Sequence, residues 1–173
     1  MAYRARQGVD PATVSLAVVV QRMVESEAAG VMFTANPSNG RRNELTISAA
    51  WGLGESVVSG SVTPDSIVVE KGSGRVLSRE TASKEVMTVY TEDRTAERPV
   101  PEVQRLAPVL DNELAGELAR AVGVSGMIAG QYLDINGGRE DRLELNRLKT
   151  ARLFQAACEL VFKGVEQPSG YTE

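Results

Sequence analysis

Glu44-Leu45-Thr46-Ile47-Ser48-Ala49-Ala50, followed directly by Trp51-Gly52-Leu53-Gly54-Glu55, decides how the chain is read. In an extended backbone successive side chains point to opposite faces, so Leu45, Ile47 and Ala49 share one face while Thr46 and Ser48 share the other. This is a half-buried strand that ends in a glycine turn. Working outward, the same signals recur from residue 13 to residue 90, as short β-branched runs between Gly, Pro, Asn and Asp clusters. The run 14–24, nearly continuous in Val, Leu and Ala, predicts a strand buried on both faces. Residues 30–34 follow it after 25–29, a connection short enough for an antiparallel return. Two more runs, 66–70 and 75–80, flank Lys71-Gly72-Ser73-Gly74, a hairpin turn. A sixth strand is expected at 85–90.

Beyond residue 90 the pattern changes. Pro99 and Pro101 make 91–101 unsuitable for a central strand and mark it as a linker. Asp111 is placed to cap a helix carrying Leu114, Leu118 and Val122, with Gly123 and Gly126 weakening its continuation. Asp141 and Glu144 have capping-box spacing. Leu145, Leu148, Ala151, Phe154, Cys158 and Val161 then form one apolar stripe at helical spacing. Strands first and helices second favour an α+β fold, a mostly antiparallel sheet with C-terminal helices packed on it. The terminal stripe is expected to cover the Leu45, Ile47 and Ala49 face, because a bare apolar sheet face is rare on a monomer.

Composition narrows function by exclusion. The 173 residues contain no histidine, which removes any imidazole base, imidazole metal ligand or phosphohistidine. Lys+Arg 19 against Asp+Glu 23 gives a net charge of -4, so no nucleic-acid partner is expected. The lone Cys158 cannot form an internal disulfide, and its place on the stripe predicts a buried thiol. No apolar run approaches a membrane span and residues 1–6 lack the apolar centre of a signal peptide, so no membrane partner and a cytoplasmic location are expected. Gly52 and Gly54 let a backbone approach phosphate oxygens, with Glu55 opening a helix behind them; a plain strand-to-helix turn uses the same residues. Trp51 reads as core, and Arg41-Arg42 as a solvated pair.

Four strings, Gln21-Arg22-Met23-Val24, 30–37 (Gly-Val-Met-Phe-Thr-Ala-Asn-Pro), 51–55 and 60–65 (Gly-Ser-Val-Thr-Pro-Asp), stand in the order and at the spacing of one known family. They resemble the nucleotide-binding domain of phosphoenolpyruvate synthases, pyruvate phosphate dikinases and rifampicin phosphotransferases, over residues 3–115. The resemblance implies an ATP-grasp fold closing two lobes on ATP. It implies that the strand Gln21 to Val24, with Met23, hydrogen-bonds adenine and that Gly52, Gly54 and Glu55 belong to the same lobe. The family's first lobe, with its phosphate-holding Lys and Arg, would lie before Met1, and the closing Glu-Trp segment that supplies magnesium ligands has no counterpart here. Weak ATP binding without phosphotransfer and without Mg2+ is the resulting expectation, so the chain is read as leaning away from catalysis.

Residues 126–134 and 148–157 in turn resemble two helices of trans-prenyl diphosphate synthases, over about 117–163. That resemblance implies Gln131, Asp134, Lys149 and Thr150 facing a diphosphate, yet the family's aspartate-rich motifs do not occur. The chain is accordingly divided into 1–116, an incomplete ATP-grasp-like lobe, and 117–173, a docked helical segment, as a fused or generated chimera would be. The alternative is a non-catalytic interaction module, a small acidic inhibitor or antitoxin-like binder with a protein partner.

Overall fold

A computed structural model describes residues 6, 8, 17–136 and 142–166, with side chains from 160 onward excepted. Four strands, β1 (Ala28–Phe33), β2 (Glu44–Trp51), β3 (Asp65–Glu70) and β4 (Val76–Glu80), make an antiparallel sheet in sequence order. Each pairs with its predecessor in the chain. Register follows the pleat: Ile47 lies opposite both Met32 and Ile67, and Leu45 opposite Val69, so one face is aliphatic throughout. A register shift falls between Val68 and Val69.

That face is covered by a helix. After the short helices α1 (Glu55–Ser59) and α2 (Glu102–Arg105) comes α3 (Asn112–Val122), which begins where Asp111 accepts a hydrogen bond from the Leu114 N–H at 2.7 Å. Ala115 and Ala119 are fully buried against Leu45, Ile47, Ile67 and Val69, with Met32, Val76 and Leu110 at the margin. Alanine at both contact positions lets the helix approach closely, so the sheet contributes the bulky side chains and the helix the small ones. Gly74 and Gly116 touch backbone to backbone at one end of this contact; a methyl on Gly116 would sit 2.7 Å from the Gly74 carbonyl oxygen.

A separate two-stranded ribbon, β5 (Val86–Tyr90) and β6 (Thr95–Pro99), stands beside the sheet. It reverses the linker expectation for 91–101, because proline is tolerated at the end of an edge strand, where Pro99 pairs with Val86. The last elements are α4 (Met127–Asn136), α5 (Arg142–Asn146), a π-helical turn (Arg147–Ala151) and α6 (Arg152–Glu166). Gly130 of α4 packs directly on the Lys149 backbone, and Lys149 pairs with Asp134 at 2.5 Å.

The architecture is α+β, with antiparallel sheet and helices, as expected. Several particulars differ. Residues 17–24 form no strand and are exposed throughout, because among the described residues nothing pairs with their backbone and no layer covers them; 14–16 lie outside the described residues, as does Asp141. The side chain of Val161 lies outside the described residues, and among these the terminal stripe does not cover the sheet. It is α3 that does so, while α6 packs on α3 through Ala156 and leaves Phe154 and Cys158 exposed. Cys158 is thus a surface thiol and not a buried one.

Candidate functional site

The glycine turn does the work of a joint. Gly52 has φ +81, and a Cβ there would overlap the Thr88 carbonyl oxygen. Its N–H donates to the Glu27 carbonyl at 2.7 Å, and the next N–H, of Leu53, donates to the Thr88 carbonyl at 2.7 Å. Gly52 and Thr88 form a parallel bridge, so this one residue ties β1, β2 and the ribbon together. A left-handed φ with carbonyl contact on the Cβ side leaves glycine the only fitting residue.

Around this joint lies a cavity of about 630 Å3, within the range of small-molecule sites. Glu25, Ser26 and Glu27 form one wall, Trp51, Gly52 and Leu53 the floor, and Met87, Val89, Tyr90 and Arg98 of the ribbon the other wall. Trp51 is half-buried, and its indole N–H donates to the Gln104 carbonyl at 3.0 Å, which fixes the ring plane. The core expectation for Trp51 is therefore met in part, since the side chain is half-buried and lines the cavity. Chemically the cavity offers aromatic and aliphatic surface, acidic groups at the rim and a single cation, Arg98, among its lining residues.

A second, smaller cavity of about 210 Å3 lies across the ribbon, lined by Glu55, Ser56, Ser59, Ser61, Thr88 and Glu97 among others. The structure thus distributes the residues singled out from sequence. Gly52 lines the larger cavity and Glu55 the smaller, while Gly54 caps α1, where an added Cβ would sit 3.4 Å from the Ala29 Cβ. Gln21, Met23 and Val24 are exposed and line neither cavity. Of the second group, Asp134 and Lys149 pair with each other, and Gln131 and Thr150 are exposed. Among the described residues no three acidic or cysteine side chains converge as a metal site would require.

Two polar clusters escaped sequence reading. Lys84 and Asp65 form an ion pair at 2.6 Å with both side chains 0% exposed. Asp65 also accepts from the N–H groups of Ala82 at 3.0 Å and Val109 at 2.8 Å, and Lys84 donates to the Ala82 carbonyl at 2.9 Å. The pair joins the root of the ribbon to the segment that leads into α3. A period-two reading cannot find it, since Lys84 sits in a connection and its partner is 19 residues away. The other cluster centres on Glu44, whose carboxylate takes hydrogen bonds from Arg41 at 2.9 Å, Asn36 at 2.7 Å and Asn39 at 3.2 Å. The Arg41 guanidinium, then the two amides, hold its pKa below the usual carboxylate value. Arg41 is accordingly engaged and not merely solvated.

Comparison with known proteins gives a consistent picture. Residues 1–136 match the family described as pyruvate phosphate dikinase, AMP/ATP-binding domain. The phosphoenolpyruvate synthase of Pyrococcus furiosus is 58% identical over 87 residues, 50% of this chain and 11% of that protein. A probable phosphoenolpyruvate synthase of Methanothermobacter thermautotrophicus is 42% identical over 130 residues, 75% of this chain and 18% of that protein. A rifampicin phosphotransferase of a Streptomyces species is 44% identical over 117 residues, 67% of this chain and 13% of that protein. The chain therefore spans less than a fifth of the length of these relatives. The match through residue 136 includes 126–134, the first of the two stretches likened above to prenyl synthases.

Proposed function

Since the chain belongs to the pyruvate phosphate dikinase, AMP/ATP-binding domain family, we propose that it binds an adenine nucleotide, with the base and ribose in the cavity over Gly52. The observation that carries this is the cavity itself. Its Trp51, Leu53, Met87 and Val89 surface suits a flat heterocycle, and its backbone at Glu25–Glu27 and side chains at the rim suit an exocyclic amine. Arg98 alone cannot neutralise a triphosphate, so the fit is to the nucleoside half of the ligand. ATP and AMP should then bind similarly and weakly, and these residues by themselves should not transfer a phosphoryl group. An ATP-grasp-like lobe over 1–116, with helical material over 117–173, accounts for the same arrangement; α3 (Asn112–Val122) runs across that division. Participation of Gln21, Met23 and Val24 in adenine binding is part of the proposal, and it requires the exposed segment to approach the sheet. Magnesium has no place in this reading.

The chain's one tryptophan lines the cavity, which makes it the reporter. Titration with ATP and with AMP should change Trp51 emission saturably, with the two affinities within about threefold. At ten times the dissociation constant, binding should add about 1.4 kcal/mol of stability. No saturable emission change and no thermal shift at millimolar nucleotide would sink the proposal. The second reading, a protein-interaction module, is favoured by exposed Tyr132, Ile135, Leu143 and Phe154 on the terminal helices. It predicts no nucleotide response.

A further inference from the structure

Among the described residues Lys84 is the largest side chain buried completely, yet it sits in the connection between β4 and β5 and not in the sheet core. Its partner Asp65 takes hydrogen bonds from the Lys84 ammonium at 2.6 Å, the Ala82 N–H at 3.0 Å and the Val109 N–H at 2.8 Å. For stability alone, an apolar pair of the same volume would serve as well. What a carboxylate with several donors adds is direction, because each donor must arrive at a set distance and angle. One of those donors belongs to the segment 100–109, which carries the short helix α2. Four residues cannot hold a helix unaided, so α2 stands where its neighbours tie it. The ties converge on the same place. The Val100 N–H donates to the Glu85 carbonyl at 2.9 Å, the Lys84 N–H donates to the Arg105 carbonyl at 3.0 Å, and the Arg105 guanidinium pairs with Glu85 at 3.1 Å. The Gln104 carbonyl, near the end of α2, receives the Trp51 indole N–H at 3.0 Å.

We propose that Lys84 is a positioning residue for the larger cavity: the buried pair fixes α2, and α2 fixes the Trp51 ring that forms part of the cavity floor. An indole has one N–H, so the acceptor it meets decides the ring plane, and a shift of that acceptor turns the ring. Trp51 is half-buried and borders the cavity, so packing does not hold the ring from every side. Without the ammonium, Asp65 is a stranded buried carboxylate that recruits a proton or water. The Val109 end of the segment then loses its fixed acceptor, α2 loosens at both ends, and the indole follows it. The placing of the ring depends on no ligand. Its effect on binding rests on the nucleotide reading.

The test is NMR on the full chain without nucleotide, well below its melting temperature. The chain's one tryptophan gives a single indole N–H resonance, so its shift and its exchange with solvent report this ring alone. Lys84→Met is compared with Val69→Ala, which empties part of the sheet core and changes no residue of the relay. In Lys84→Met the resonance should move and exchange should accelerate about tenfold or more, while in Val69→Ala both stay near the parent. An indole that exchanges as in the parent in folded Lys84→Met overturns the proposal. So does equal acceleration in both variants, which makes the pair a source of overall stability and nothing more. Should Lys84→Met fail to fold, Asp65→Asn carries the test, because its NH2 must face one of the donors that the carboxylate accepts. The same acceleration is expected there, and unchanged exchange again overturns the proposal. Addition of ATP separates the two readings. If the ring holds its seat about a fifth of the time in Lys84→Met, apparent ATP affinity falls about fivefold. A loosened indole in the variant with no response to ATP in the parent keeps the positioning role and removes the nucleotide function.

Discussion

Replacing Lys84 with methionine tests how the ribbon is held to the sheet. The side chain length is nearly kept and the charge is removed, so Asp65 is left as a fully buried carboxylate without its 2.6 Å partner. Breaking a buried pair from one side costs about 3–5 kcal/mol, mostly through the stranded charge. Here the Ala82 and Val109 N–H groups still point at Asp65, which places the expected loss near the lower end, about 3 kcal/mol. For a chain of this size that lowers the melting temperature by roughly 6–12 °C. Urea unfolding at neutral pH gives the free energy, and the decisive comparison is the double variant Lys84→Met/Asp65→Asn. Asparagine removes the stranded charge while keeping an acceptor for Ala82, so the double variant should recover about 1 kcal/mol or more over Lys84→Met alone. A loss under about 1 kcal/mol for Lys84→Met, or a double variant weaker than the single, would refute the account of this pair.

Glu44→Gln should flatten the acid limb of the stability curve. The folded-state pKa of Glu44 is depressed, so its contribution is present above the ordinary value of 4.5 and is lost as pH falls toward the depressed value. Melting temperatures between pH 6 and 3 should therefore fall more for the parent than for the variant, and parallel curves would contradict this. Fragment 1–136 should stay soluble and melt cooperatively, because α3 and not α6 covers the sheet; the loss of contacts at Ala156 and Leu153 should cost about 1–3 kcal/mol. An insoluble fragment in light scattering and thermal melts would return the covering role to the terminal helix.

Legibility from sequence followed locality. The strand at Glu44–Trp51, the hairpin at Lys71–Gly74 and the Asp111 cap depend on residues within a few positions of one another, and each was readable. The choice between α3 and α6 as cover was not, because both present apolar residues at helical spacing. What decides it is size: Ala115 and Ala119 let the backbone come close, while the larger stripe of α6 cannot lie as near. The segment 17–24 was read from composition as a buried strand, yet it lies exposed and outside the sheet. At the candidate site, Gly52 was found for its missing side chain, but its partner Thr88 lies 36 residues on and carries no motif. Arg98 entered through β6, which two prolines had disguised as a linker.

The ribbon separates two cavities with a sheet of backbone only one strand thick. Met87, Val89, Tyr90 and Arg98 line the larger, and Thr88, Thr95, Ala96 and Glu97 the smaller. At 87–89 and 97–98 alternation gives neighbouring codons different jobs, so a substitution at 87 or 89 retunes the larger chamber while leaving the residues of the smaller in place. The same parity makes insertions far more disruptive than substitutions. One residue added near Thr91 would shift β6 against β5, presenting hydroxyl and carboxylate groups to the aromatic chamber and the arginine to the serine-lined one. Variation along this ribbon is thus expected to proceed by replacement at fixed length, with the two chambers free to diverge independently.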